Sequence, residues 1–176
     1  MLNTKLISKI FGSLLLIEAL LMSCSLGVAL YYGGSDVMPF TWSVVVLIAA
    51  GVAFRLLGLK ASNALSRRDA YFVVTTVWVL FTIFGMMPFL IGGYLHSVTD
   101  AFFETISGFT TTGATIIDYP ERLPRGLLFW RSITQWIGGL GIVFFTIAIL
   151  PSFVGGSTRV FAAEATGPIV TKLHPK

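Results

Sequence analysis

The amino-acid sequence predicts an all-α polytopic membrane protein: a two-helix transmembrane hairpin followed by one helix–pore loop–helix repeat. Three observations carry this prediction. Of 176 residues, 55% are hydrophobic and only 11% are charged, with a mean hydropathy of +0.86; soluble domains carry about 25% charged residues. The apolar residues fall into four runs, each long enough for a bilayer core at about 20 residues per span. Between the third and fourth lies a shorter apolar run that stops at three threonines and a glycine.

The first span runs from Ile7 to Tyr32, with Lys5 just before it and Lys9 in its first turn. Its basic start and Leu21-Met22-Ser23-Cys24 are faintly like a lipoprotein signal peptide, but the apolar stretch continues to Tyr32 and more spans follow, so it reads as a membrane helix. Cys24 is the single cysteine, which excludes an internal disulfide framework. Glu18 is the one acidic residue in this span. An intramembrane carboxylate is a candidate functional group; the duller reading is a protonated group, or one paired with a neighbouring helix. A turn at Tyr32–Asp36 leads to the second span, Pro39–Leu59, where Arg55 and Lys60 can snorkel to headgroups. Residues 1–60 thus form an accessory hairpin, and 61–69, with Arg67 and Arg68, a basic cytoplasmic loop.

Residues 70–155 form the repeat, and 156–176 a cytoplasmic tail. The third span, Ala70–Leu95, carries no charge, and Pro88 predicts a kink or break near Gly85. Gly92-Gly93-Tyr94 then leads into the short run. Ser97, with Asp100 three residues on, offers an N-cap and a capping-box-like start. A helix over Val98–Phe109 would be roughly 18 Å long, about half of a bilayer core. It cannot cross. Irregular backbone at such depth is tolerated only where protein buries it or where it lines a water-filled cavity.

Thr110, Thr111, Thr112, Gly113 and Ala114 follow that helix. Their main-chain carbonyls, and the threonine hydroxyls, are hard oxygen ligands of the kind that replace a cation's hydration shell. The helix before them aims its negative C-terminal end at the same place, and glycine at 113 admits a positive φ at least cost. The competing reading is a plain helix cap and a Thr-rich surface turn; the position between two membrane segments favours the filter.

A polar loop over Ile117–Arg125 leads to the fourth span, Leu127–Phe153. Its middle, Gln135–Gly141, is dense in small residues that let another helix approach closely. With the N-terminus inside, nine of the twelve Lys and Arg residues fall on the inner side, leaving Arg122, Arg125 and Arg131 outside. That bias places both termini in the cytoplasm and the Thr-Gly strand near the outer face. Five of the eight acids, Asp36, Asp100, Glu104, Asp118 and Glu121, also fall outside, as an acidic vestibule would.

Other function classes fare poorly. No basic patch with interleaved aromatics points to nucleic acid. The only histidines are His96 and His174, and neither G-x-S-x-G nor H-E-x-x-H occurs, so nothing suggests an enzyme.

The stretch Phe102–Thr115 (FFETISGFTTTGAT), followed by Trp130-Arg131-Ser132 and Gln135–Ile142 (QWIGGLGI), resembles the first pore repeat of Trk-type potassium transporters, in the Trk/Ktr/HKT superfamily. With the Ala163–Pro168 tail, the resemblance covers nearly the whole chain. It implies four such repeats around one pathway, with Gly113 at the constriction. Potassium would be held at Thr111, Thr112 and Gly113, flanked by Thr110 and Ala114. It also implies the cytoplasmic (inner) membrane, surrounding membrane lipid, a homodimer and a cytoplasmic nucleotide-binding regulatory subunit. No cofactor is expected besides potassium as substrate. One repeat is a quarter of such a pore, so the chain is expected to be a portion of a longer, four-repeat protein. A homotetrameric channel of single-repeat subunits and a non-conducting fragment are the alternatives.

Overall fold

The computed structural model describes residues 2–59, 61 and 66–154, with backbone alone at Arg67 and 142–154. The expected loop residues 62–65 and the tail from 156 lie outside the described residues. One compact unit reaches Leu140, and a second begins at Gly141. The helices are α1 (Thr4–Tyr32), α2 (Val37–Leu57), α3 (Arg67–Gly85), α4 (Met87–Ile91), α5 (Val98–Phe109) and α6 (Arg125–Val154), with a short 3₁₀ turn at Pro120–Arg122. Among the described residues, three segments, α1, α2 and the α3–α4 stretch Arg68–Ile91, are long and apolar enough to cross a membrane.

Helix ends follow local chemistry. Asn3 caps α1 by accepting the Leu6 N–H at 3.3 Å, and Gly33, with φ 61°, ends it in the left-handed conformation. The third span begins at Arg67, earlier than the expected Ala70, because Ser66 and Asp69 build a reciprocal capping box. Asp69 also accepts the backbone N–H of Asn3 at 3.1 Å, joining the starts of α1 and α3. The break expected near Gly85 is present. Pro88 has no N–H for the helix ladder, and α3 stops at Gly85 before the short α4 begins. The freed carbonyl of Gly85 accepts the indole N–H of Trp130 at 2.8 Å.

α1 and α2 pack along their length as the hairpin, and α3 lies against α1 and α5. The core holds Leu15, Met22, Phe40, Leu47, Phe89, Phe109, Leu127 and Trp130, each nearly or fully buried. Phe109, the last residue of α5, sits at its centre. Its ring lies 5.6 Å from Phe81 and meets Trp130 edge-on at 6.3 Å and 83°, favourable geometry for aromatic pairs. Packing against α3 and α6 thus fixes the point from which the chain leaves the half-helix.

The two ends of the unit differ in charge. Lys5 and Lys9 pack around Gly58, at the end that holds the Asn3–Asp69 contact. At the opposite end the Ser35 and Tyr94 hydroxyls share a 2.7 Å hydrogen bond, and Asp36 accepts the backbone N–H of Leu127 at 3.0 Å. Glu18 is fully buried, and neither carboxyl oxygen has a hydrogen-bond partner among the described residues. Among the described residues no neighbouring helix pairs with it; it lies against Gly85.

Candidate functional site

The half-helix α5 has one buried face, Ala101, Glu104, Thr105 and Ser107, ending at Phe109, a spacing that keeps these residues on one side. Ser97 is the N-cap residue, but its side chain makes no capping hydrogen bond. The capping box expected there does not form, and Asp100 is left to complement the helix dipole.

The C-terminal end carries the unusual geometry. Thr111 donates its N–H to Gly108 O at 2.9 Å and Thr112 to Ser107 O at 3.0 Å, the paired bonds of a Schellman motif. That motif places its left-handed residue at Thr111, with φ 57°. A β-branched residue there is a genuine outlier, at about 1–2 kcal/mol of strain. A plain cap would carry glycine at 111. Glycine stands at 113 instead, also with positive φ, 72°.

The strand then turns back along α5, held by the Ser107 hydroxyl donating to Ala114 O at 2.6 Å. Thr110 donates its hydroxyl to Ile106 O at 2.8 Å and shares a 2.8 Å hydroxyl contact with Thr112. Thr111 donates its own hydroxyl to Thr110 O at 2.7 Å. The hydroxyls are therefore engaged within the chain. By contrast, the carbonyls of Thr111, Thr112 and Gly113 accept no hydrogen bond from any described residue. All five expected filter residues, Thr110 to Ala114, are contiguous and exposed.

Behind the strand stands α6. A Cβ at Gly138 would collide with the carbonyl oxygen of Phe109 and come within 3.1 Å of Thr111 Cγ2. Gly138 thus lets α6 touch the root of the strand, a more specific task than the general helix packing expected of these small residues. Gln135 lies beside Gly113. Glu104, Ser107, Gly113, Ala114, Arg131 and Gln135 are among the residues around a cavity of about 230 Å³ behind the strand.

Glu104 and Asp36 correct the expected vestibule. Glu104 forms a 2.7 Å ion pair with Arg131, its own side chain 2% exposed, and accepts the Thr115 hydroxyl on both oxygens, at 3.0 and 2.9 Å. Asp36 is fully buried at the start of α6. Both are withdrawn from solvent because each satisfies donors of a neighbouring segment. Asp100, Asp118 and Glu121 remain exposed. The roles of Glu104, Arg131, Thr115, Ser107 and Gly138 were not read from the sequence; a buried-face glutamate nearly two turns before the threonines was the available signal.

Comparison with known proteins bears on this geometry. The family model TrkH, described as cation transport protein, matches residues 37–174. The Trk system potassium uptake protein TrkH of Vibrio parahaemolyticus is 37% identical over 172 residues, covering 97% of this chain and 36% of its own length. The Trk system potassium uptake protein TrkG of Escherichia coli K12 is 32% identical over 176 residues, covering 99% of this chain and 36% of its own. A crystal structure of the potassium transporter TrkH from Vibrio parahaemolyticus superposes with a TM-score of 0.78 at 38% identity, over 84% of this chain and 32% of that one. The chain spans about a third of the length of these relatives. It belongs to the TrkH family of cation transport proteins.

Proposed function

We propose that this chain supplies one quarter of a cation selectivity filter to a potassium-uptake protein of the Trk type. The observation that carries this reading is the row of unpartnered carbonyls at Thr111, Thr112 and Gly113, exposed at the end of a half-membrane helix. Carbonyl oxygens at such a helix end offer a dehydrated cation hard ligands and a favourable dipole. The strain accepted at Thr111 supports it, since strained backbone clusters at functional sites. Thr110 and Ala114 flank the ligands, and passage needs no covalent step, so we assign no enzymatic activity.

The remaining parts of the reading extend from family membership. We place the protein in the cytoplasmic (inner) membrane with the basic end of the unit inside and the filter strand outside. A homodimer and a cytoplasmic nucleotide-binding regulatory subunit are its proposed partners.

The test is Gly113→Ser in the protein expressed in a potassium-uptake-deficient bacterium. Membrane abundance should hold while rubidium uptake, or its preference over sodium, changes. Unchanged uptake per molecule and unchanged preference would reject the filter reading. Rescue by the 176-residue chain alone, running as a tetramer, would favour four copies of one repeat over a longer protein.

A further inference from the structure

We infer that Glu104 and Arg131 are positioning residues: a buried charge pair that grips the outer end of the filter strand through Thr115 and thereby sets ion discrimination. This rests on the filter reading above and extends it to residues outside the Thr-Gly strand.

A strand of carbonyls selects among ions only if its spacing is held against the repulsion of its own dipoles. The lower end of this strand is held. Phe109 is locked in the core, Gly138 abuts its carbonyl, and Ser107 tethers Ala114. Beyond Ala114 the backbone has no helix to join until the turn at Pro120, so another device must fix the upper end.

Glu104 supplies it. One carboxylate receives three donors: the Thr115 hydroxyl, shared between both oxygens, the Ile116 N–H at 3.1 Å, and the Arg131 guanidinium at 2.7 Å. Thr115 is gripped from two further sides. The same Arg131 nitrogen reaches its oxygen at 3.3 Å, and the Ile117 N–H donates to it at 3.2 Å. Three consecutive residues after the filter are thereby tied to α5 through Glu104 and to α6 through Arg131.

The charges explain why this pair suits the place. Hydrogen bonds to an ionised acceptor are shorter and about twice as strong as neutral ones. A lone buried carboxylate this close to a cation path would compete with the carbonyls for the ion. Pairing with Arg131 neutralises it, so Glu104 holds the strand without becoming a ligand. A quarter of the Arg131 side chain stays exposed, enough to keep its remaining donors hydrated.

Thr115→Val tests the clamp with least risk to folding, because it leaves the ion pair intact and changes one exposed residue. Amide hydrogen exchange of the segment 115–117 should accelerate by about tenfold, as expected when local protection is lost, while α5 and α6 stay protected. In the same preparation the rubidium-over-sodium preference should fall at least threefold with membrane abundance unchanged. A second variant, Glu104→Gln with Arg131→Gln, removes both charges together and should show the same loss of preference; Arg131→Lys, which retains a charge, should recover part of it. Fast exchange with unaltered preference in all three variants overturns the specificity role, and unaltered exchange overturns the clamp. Gly113→Ser separates the two readings. If it shifts ion preference and the clamp variants do not, this inference fails alone; if it shifts nothing, the filter reading fails first.

Discussion

Trp130 donates its indole N–H to the carbonyl of Gly85 at 2.8 Å, although 45 residues separate them in sequence. The helix break before Pro88 leaves that carbonyl without its usual helical donor, since the Phe89 N–H turns to Met86 O, and the fully buried Trp130 fills the need. The same ring packs edge-on against Phe109. One side chain therefore satisfies the kink in α3 and supports the base of the Thr-Gly strand.

Replacing Trp130 with Phe keeps most of the ring and removes only the donor. Leaving a buried carbonyl unsatisfied costs about 1–3 kcal/mol, so thermal unfolding of the purified variant should occur at lower temperature. Ion preference should change little, because the Phe109 contact survives. An unchanged melting temperature would mean that the carbonyl finds another partner.

Gly138 and Gly139 form a matched pair of probes. Alanine at 138 must push against the Phe109 carbonyl, and overpacking of this kind costs about 1–3 kcal/mol. Alanine at 139 meets nothing within 4 Å and should cost under about 0.5 kcal/mol. Gly138→Ala should also disturb uptake through the adjoining Thr111, whereas Gly139→Ala should leave it near normal. Equal effects from both would contradict the packing described here.

Thr111→Gly separates stability from function. Removing the side chain relieves about 1–2 kcal/mol of left-handed strain but deletes the hydroxyl bond to Thr110 O. The expected variant is at least as stable as its parent and poorer at distinguishing potassium from sodium. Relative uptake of the two ions, measured beside the melting curve, checks both halves. A stable variant with intact discrimination would show that threonine is not needed at this position.

Orientation is open to labelling with a membrane-impermeant thiol reagent in a Cys24→Ser background. Single cysteines at Ser35 and Asp118 should react in intact cells, and one at Ser66 only after permeabilisation. Reaction at position 66 in intact cells would invert the proposed topology.

Much of the fold could be read from the sequence because it rests on period and punctuation. Four apolar runs gave the long helices, Pro88 gave the break, and the abrupt change after Phe109 gave the half-helix. The start of α3 was misplaced because Arg67, Arg68 and Asp69 look like loop; only the reciprocal bonds of Ser66 and Asp69 make them a first turn. The irregular strand after α5 could be located by its threonines, but not its strain. Thr111 takes the left-handed conformation because of the Schellman bonds to Gly108 and Ser107, whereas residue preference alone points to Gly113. Glu104 and Asp36 looked like surface acids. What buries them is a partner 27 or 91 residues away, and composition carries no record of such pairings.

The contact between Asp36 and the Leu127 N–H also bears on how the molecule is made. Synthesis proceeds from the N-terminus, and early segments can fold before later ones emerge. The first turn of α6 has amide donors that no residue of its own helix can satisfy, and its acceptor belongs to the turn of the hairpin. By the time α6 leaves the ribosome, α1 and α2 have been translated, and Asp36 can receive the incoming helix end. A hairpin already in place offers the incoming helix a ready acceptor, so Asp36→Ala is expected to lower first the yield of correctly inserted protein.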